Sequence, residues 1–237
     1  MNAKYRAFTL IEVLAVIAII GLLSTLLTPA VGSAMARARK MRVTNNLRQI
    51  SISYAAYVNG GGSLKKLNEA QTLSQWAAVL AANGGAGDAS LYIIPEDYLV
   101  INSTAQIPRQ ILAPGTSAAA STEFQNFPLG IVVIAGLSPD DDPSATPLAY
   151  SRGLDQISGH WKAQNGDDGG VYGQSGGFVL FLDGHVIWYN SLAENGGELT
   201  NFETGGKTSS IRDAVRSGAK AIGWKGAVWT NSTSSQE

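Results

Sequence analysis

The stretch FTLIEVLAVIAIIGLLSTLLTP, residues 8–29, holds a single charged side chain, Glu12, among residues that are otherwise apolar, small or hydroxyl-bearing. As a helix rising about 1.5 Å per residue it is about 33 Å long, enough to cross the hydrocarbon core of a bilayer. A carboxylate near the middle of a bilayer carries a penalty of about 2.5–3.5 kcal/mol on insertion scales, so Glu12 asks for a partner. A secretory signal would have a shorter apolar core followed by a small-x-small cleavage site. Here the basic segment comes first: MNAKYRA carries Lys4 and Arg6 and ends in the small residue Ala7.

Charges flank the stretch on both sides, with Lys4 and Arg6 before it and Arg37, Arg39, Lys40 and Arg42 after it. Counting alone favours translocation of the N-terminus. The downstream cluster begins well past Pro29, where a continuing helix holds it away from the membrane surface, so the expectation is the reverse: N-terminus cytoplasmic, remainder periplasmic. Across all 237 residues, Lys and Arg number 17 and Asp and Glu 18, so no global field recruits nucleic acid or anionic lipid. The four-residue basic cluster has no interleaved aromatics to stack bases and reads as a solvated helix face. The absence of cysteine excludes disulfides, a thiol nucleophile and thiolate metal sites.

A short basic leader, a small residue and then FTLIEVL resembles the class III signal of type IV prepilins and type II secretion pseudopilins. The resemblance implies cleavage between Ala7 and Phe8 by a prepilin peptidase, N-methylation of Phe8, and an assembly role for Glu12 at the fifth mature position. It also implies a helix interruption at Pro29. Ala7 departs from the glycine usual before the cut. The chemistry behind the assembly role is plain: cleavage creates a charged amine at Phe8, and a carboxylate one turn along neutralises that amine or a neighbouring subunit's.

Beyond Pro29, Val43, Leu47, Ile50, Tyr54 and Tyr57 recur at spacings of four and three, the stripe of an amphipathic helix packed on a globular head. Gly60, Gly61 and Gly62 end it, which predicts about 50 residues of helix from Phe8 to Asn59. Thr72 and Gln75 form a capping-box pattern ahead of a second helix with Leu73, Trp76, Ala77 and Leu80 on one face. Strands are expected in SLYIIPEDYLV from Ser90, FPLGIVVIAGL from Phe127 and TPLAYSRGL from Thr146. The clearest local signal is GGFVLFLDGHVIWYN, residues 176–190, where Asp183-Gly184 separates two apolar runs. It predicts a two-residue type I′ hairpin pairing Phe181 with Val186 and Val179 with Trp188. After Asn190 the expectation is loop, a short helix over 211–215, and an edge strand in AIGWKGAVW.

FVLFLDGHV also resembles the DGHV ending of many pilin-like proteins of Planctomycetes and Verrucomicrobia, in which a histidine commonly lies ten residues before the Asp. Gly173 stands there instead. Asp183 and Gly184 are explained by the turn, and the only other histidine is His160. No nucleophile elbow, phosphate loop or zinc spacing occurs, so an enzyme is not expected. Two acidic loops remain as candidate metal ligands, Asp140, Asp141 and Asp142 in SPDDDPSATP and Asp167 and Asp168 in NGDDGG. Oxygen-rich loops suit Ca²⁺, and resemblance to major pseudopilins adds that calcium often sits in a C-terminal loop, although neither spacing is that of a known calcium loop.

The sequence therefore predicts an α+β, pilin-like chain: a long N-terminal transmembrane and spine helix packed on a small antiparallel β-sheet head. Its divisions are a leader at 1–7, a transmembrane segment at 8–30, the periplasmic half of the spine at 31–59 and a globular head at 60–237. The function implied is that of a structural subunit of a type II secretion pseudopilus or type IV pilus-like filament. The implied partners are prepilin peptidase, copies of itself and other pilin-like subunits, and an inner-membrane assembly platform. The alternative is a permanently anchored bacterial inner-membrane monomer whose extracytoplasmic head binds a ligand such as a glycan.

Overall fold

A computed structural model describes residues 9–83, 85–116 and 118–231, with the side chains of residues 26–30 left out. Helix α1 runs Leu10–Asn59. The chain divides into two compact units, Met1–Arg42 and Val43–Glu237, and the boundary falls inside that helix.

In the second unit the stripe behaves as its spacing dictates: Val43, Leu47, Ile50, Tyr54 and Tyr57 are all buried. The helix stops in a Schellman motif. Gly62 N–H donates to the Tyr57 carbonyl at 2.8 Å and Gly61 N–H to the Val58 carbonyl at 3.2 Å, while Gly61 takes a φ of 80°. A Cβ on Gly62 would lie 2.5 Å from the Tyr57 carbonyl oxygen, so this position admits no side chain.

Two helices follow, α2 (Leu64–Glu69), which the sequence did not signal, and α3 (Leu73–Ala82). Thr72 caps α3 by accepting from Gln75 N–H. The capping box is displaced by one residue at its other half, since Gln75 Oε1 accepts from Gln71 N–H at 2.8 Å. Leu73, Trp76, Ala77 and Leu80 are buried as expected, and Trp76 stacks on Tyr54 of α1 with ring centroids 6.2 Å apart.

Residues 90–100 do not form the expected strand. Asp88 accepts from Ser90 N–H at 2.8 Å and closes a 3-10 turn. Pro95 has no N–H to give a ladder, and Asp97 accepts from Leu99 N–H at 3.1 Å to cap α4 (Tyr98–Ile101). Leu91, Tyr92, Ile93 and Ile94 are nonetheless buried. A short apolar run satisfies core burial in either geometry, and here polar caps decide. A further short helix, α5 (Thr122–Asn126), precedes the sheet.

The sheet contains β1 (Ile131–Ala135), β2 (Pro147–Ser151), β3 (Gly177–Phe181), β4 (Val186–Tyr189), β7 (Lys220–Gly223) and β8 (Gly226–Thr230). A separate ladder joins β5 (Leu199–Thr200) to β6 (Lys207–Thr208). The main sheet is antiparallel throughout, in the order β4-β3-β2-β1-β7-β8. Every residue of β1, β2 and β3 is buried, so both faces of the central strands are covered within the chain. The C-terminal segment contributes two strands where one was expected, and residues 211–215 are turn rather than helix.

The β3–β4 hairpin is present, but its register is shifted by one from the expected pairing. Phe178 faces Trp188 and Val179 faces Ile187. A type I′ turn needs φ > 0 at both central residues, and at this turn only Gly184 has it, at 89°. Gly184 N–H donates to the Phe181 carbonyl and Phe181 N–H to the His185 carbonyl, both at 3.0 Å. The loop is thus three residues, Leu182-Asp183-Gly184, with glycine in the left-handed position. Its amides explain the choice, since Leu182 N–H reaches the Thr146 carbonyl and Asp183 N–H the Pro143 carbonyl. The shift also brings Phe178 and Trp188 edge to face at 4.9 Å.

Trp76 and Thr72 separate core from cap. Trp76→Ala is expected to lower stability by about 3–5 kcal/mol and Thr72→Ala by about 1 kcal/mol, read from urea unfolding of the full chain in detergent.

Candidate functional site

At the start of α1 the sequence TLIE closes on itself. Glu12 Oε2 accepts from Thr9 N–H and from Thr9 Oγ1, each at 2.8 Å. In return Glu12 N–H points to Thr9 Oγ1 at 3.4 Å. This is a capping box, with threonine at the N-cap and glutamate at the third helical position. The signal lay in the spacing of Thr9 and Glu12, which the sequence reading passed over in favour of the charge alone. Ala7 and Phe8, the expected cleavage and methylation positions, lie outside the described residues.

Every described side chain from Thr9 to Thr25 is exposed. Leu10 and Ile11 are about three-quarters exposed, and Val13, Leu14, Val16, Ile17, Ile19 and Ile20 are at least half exposed. Ser24 and Thr25 turn their hydroxyls back onto the Ile20 and Leu22 carbonyls at 2.8 Å, so neither presents an unmet donor on this apolar surface. The backbone stays helical through Pro29, which corrects the expected interruption. What the proline removes is the one N–H that would have met the Thr25 carbonyl. Among the described residues no helix is long and apolar enough to cross a membrane. The segment expected to do so begins at Phe8 and includes residues 26–30, which lie outside the described side chains. Arg37, Arg39, Lys40 and Arg42 are exposed on the same helix.

The acidic loops are engaged locally. Asp141 Oδ2 accepts from Ser138 N–H at 2.7 Å, and its other oxygen lies 3.6 Å from Arg216 Nη1. Asp142 Oδ1 accepts from Ser144 N–H and Oγ at 2.9 and 2.8 Å. Asp140 lies 3.5 Å from the Ser138 hydroxyl. Asp167 pairs with Lys225, and Asp168 is exposed. Among the described residues no three acids or histidines converge as metal ligands. A calcium ion needs six to eight oxygens around it, and here four of the five carboxylates are each engaged by a different local group, so the donor set does not fit one.

Asp183 and His185 are also held by the turn. Asp183 Oδ1 accepts from His185 N–H at 2.9 Å and lies 2.5 Å from His185 Nδ1. The imidazole stacks on Phe181 with centroids 4.1 Å apart.

One constellation had no sequence signal. Asp97 and Arg152, far apart in the chain, meet in the interior: Arg152 Nη2 lies 2.6 and 2.5 Å from the two Asp97 oxygens, with both side chains nearly inaccessible. Arg152 Nη1 donates to the Asp167 carbonyl at 2.7 Å, while its Nε has no partner among the described residues. Burial pushes the Asp97 carboxyl up, and the guanidinium pulls against that shift. Burial, with Asp141 contributing, likewise pushes the Tyr54 phenol up to about 12.

Residues 2–28 match the family model of the prokaryotic N-terminal methylation motif. This is the class III signal of type IV prepilin-like proteins. The motif takes in the leader, the Thr9–Glu12 box and most of the apolar shell, and it stops short of the buried stripe. No curated protein and no solved structure matches the chain.

Two carboxyls, the exposed Asp142 and the half-buried Asp155, give the head an acid-sensitive component. The Ser144 hydroxyl and N–H hold Asp142 below its ordinary value, and the Ser158 N–H does the same for Asp155. Their contribution is complete above about pH 3.9 and is lost as pH falls through the lowered folded values. The melting temperature of the Asp142→Asn, Asp155→Asn double variant is therefore expected to fall less steeply than that of the native chain between pH 5 and 2. Parallel curves would overturn this assignment.

Proposed function

We propose that the chain is a structural subunit of a pilin-like filament, a type II secretion pseudopilus or a type IV pilus, held in the bacterial inner membrane before assembly. The observation that carries this reading is the conjunction of the methylation motif with a helix whose described apolar side chains, from Leu10 to Leu23, are bare on every side. A helix apolar all round belongs in lipid or in a packed bundle of its own kind, and a filament subunit occupies both in succession. The head carries the buried half of α1 and stays outside the membrane.

On this reading prepilin peptidase cuts between Ala7 and Phe8 and methylates the new amine, and the assembly platform stacks the subunit on its copies and on other pilin-like chains. The work is mechanical and the chain is not an enzyme. Glu12 then has two successive duties. In the single chain its carboxylate caps α1 through Thr9, which keeps the acid hydrogen-bonded. In the filament it neutralises a Phe8 amine, which favours one axial register over others because an unpaired charge in lipid is expensive.

Two measurements test this. Mass spectrometry of the protein from its own membranes is expected to find an N-terminal peptide beginning at Phe8 and heavier by one methyl group; an intact Met1 in the mature protein favours the tethered monomer instead. The second separates cap from charge, because glutamine serves in a capping box as well as glutamate does. Glu12→Gln is expected to insert into the membrane and yet fail to form filaments, as judged by electron microscopy of sheared fractions. Native-like filaments from this variant would remove the charge-pairing duty and leave the cap alone.

A further inference from the structure

The C-terminal hairpin and the loops after β2 enclose a cleft of about 300 Å³, at the small end of sites that hold a ligand. Val132 and Tyr150 of the central strands line its base, the β7–β8 turn with Trp224 forms one wall, and residues 153–156 with Lys162 and the 167–168 loop form the other. Lys225 pairs with Asp167 and so ties the turn to the opposite loop. The same ammonium lies 4.8 Å from the Trp224 ring centre, which fixes the half-buried indole on its wall.

The cleft's chemistry is specific about charge. Its lining includes three bases, Arg152, Lys162 and Lys225, and three acids, Asp155, Asp167 and Asp168. Arg152 is neutralised by Asp97 and Lys225 by Asp167, and Lys162 acts on Asp155. Those pairings leave the exposed Asp168 carboxylate over, which disfavours an anion, while a cation would still lie beside Lys162 and Lys225. What remains is hydrogen-bonding capacity of both kinds beside apolar surface. The Asp168 carboxylate and the Gln156 amide accept, and Lys162 donates.

We propose that this cleft binds a neutral carbohydrate. A sugar unit presents hydroxyls that both donate and accept, together with a C–H face that covers an indole, and it carries no charge to be repelled. Trp224 supplies the apolar wall, Asp168 accepts hydrogen bonds from hydroxyls, and Lys162 donates to a ring or hydroxyl oxygen. The site lies wholly in the second unit and holds whether or not the chain polymerises, so it stands or falls separately from the filament reading.

The test is calorimetric titration of the full chain, in a detergent without a sugar head group, with cellobiose, lactose and N,N′-diacetylchitobiose, and with galacturonate and glucosamine as charged comparators. Saturable millimolar or tighter binding of at least one neutral disaccharide is expected. Trp224→Ala and Asp168→Ala, both at exposed or half-exposed positions and checked for a native melting temperature, are expected to weaken it at least tenfold. The proposal is overturned if none of the three disaccharides binds at millimolar concentration, if a charged comparator binds more tightly than all of them, or if both variants bind as the native chain does.

Discussion

Five side chains on one side of α1, Val43, Leu47, Ile50, Tyr54 and Tyr57, must leave water together, and the architecture of the second unit follows from that requirement. A helix with such a stripe is not stable as a single amphipathic rod in solvent. The stripe shares one core with Trp76 and Leu80 of α3, the buried run Leu91–Ile94, and the central strands β1 and β2. Polar contacts then fix where the pieces sit along the helix. Asn46 Nδ2 donates to the Ser90 carbonyl at 3.0 Å and Ser53 Oγ accepts from Ala86 N–H at 3.0 Å. The Schellman glycines end the helix at the point where the stripe runs out.

The polar interior answers to the same logic of satisfaction. Asp97 serves three needs at once: it caps α4, neutralises Arg152 and fills a buried position. A buried ion pair of this kind contributes little net stability against an apolar replacement, yet leaving one partner alone costs about 3–5 kcal/mol. It therefore acts as a constraint on which loops come together. Arg152 brings the 167 loop to the end of β2, and that placement forms a wall of the cleft.

How much of this was legible in the sequence depended on how local the deciding interaction was. The long helix, its stripe, its glycine stop and the capped α3 were all written in short-range spacings, and the structure has them where the spacings put them. The Asp183-Gly184 turn was legible in position but not in register. The dipeptide serves both a two-residue and a three-residue loop, and the choice rests on the Thr146 and Pro143 carbonyls, which no local pattern reveals. Residues 91–94 were misread because a buried apolar run has no period of its own. Among the candidate site residues, Glu12 was found by its charge, while its Thr9 partner was overlooked although the capping spacing was in view. The acids of the two loops looked like ligands in sequence; in the structure Asp140, Asp141 and Asp142 engage Ser138, Ser144 and Arg216, Asp167 pairs with Lys225, and Asp168 is exposed. The cleft and the Asp97–Arg152 pair draw on segments scattered along the chain and left no trace in any one of them.

The position of β7 has a consequence for the order of events in the life of the chain. Beside β2, the other neighbour of β1 is β7, with Val133 opposite Ile222 and Ile134 opposite Ala221. One flank of the first strand made therefore stays unpaired until nearly the last residues emerge. A chain emerging from its N-terminus cannot complete this sheet while its C-terminal hairpin is still to come. The closing of β7 on β1 is thus a late and long-range step, and until it happens the hydrogen-bonding edge of β1 remains open to pairing with the wrong strand. The short, Gly-bounded C-terminal hairpin acts as a latch that closes the sheet last.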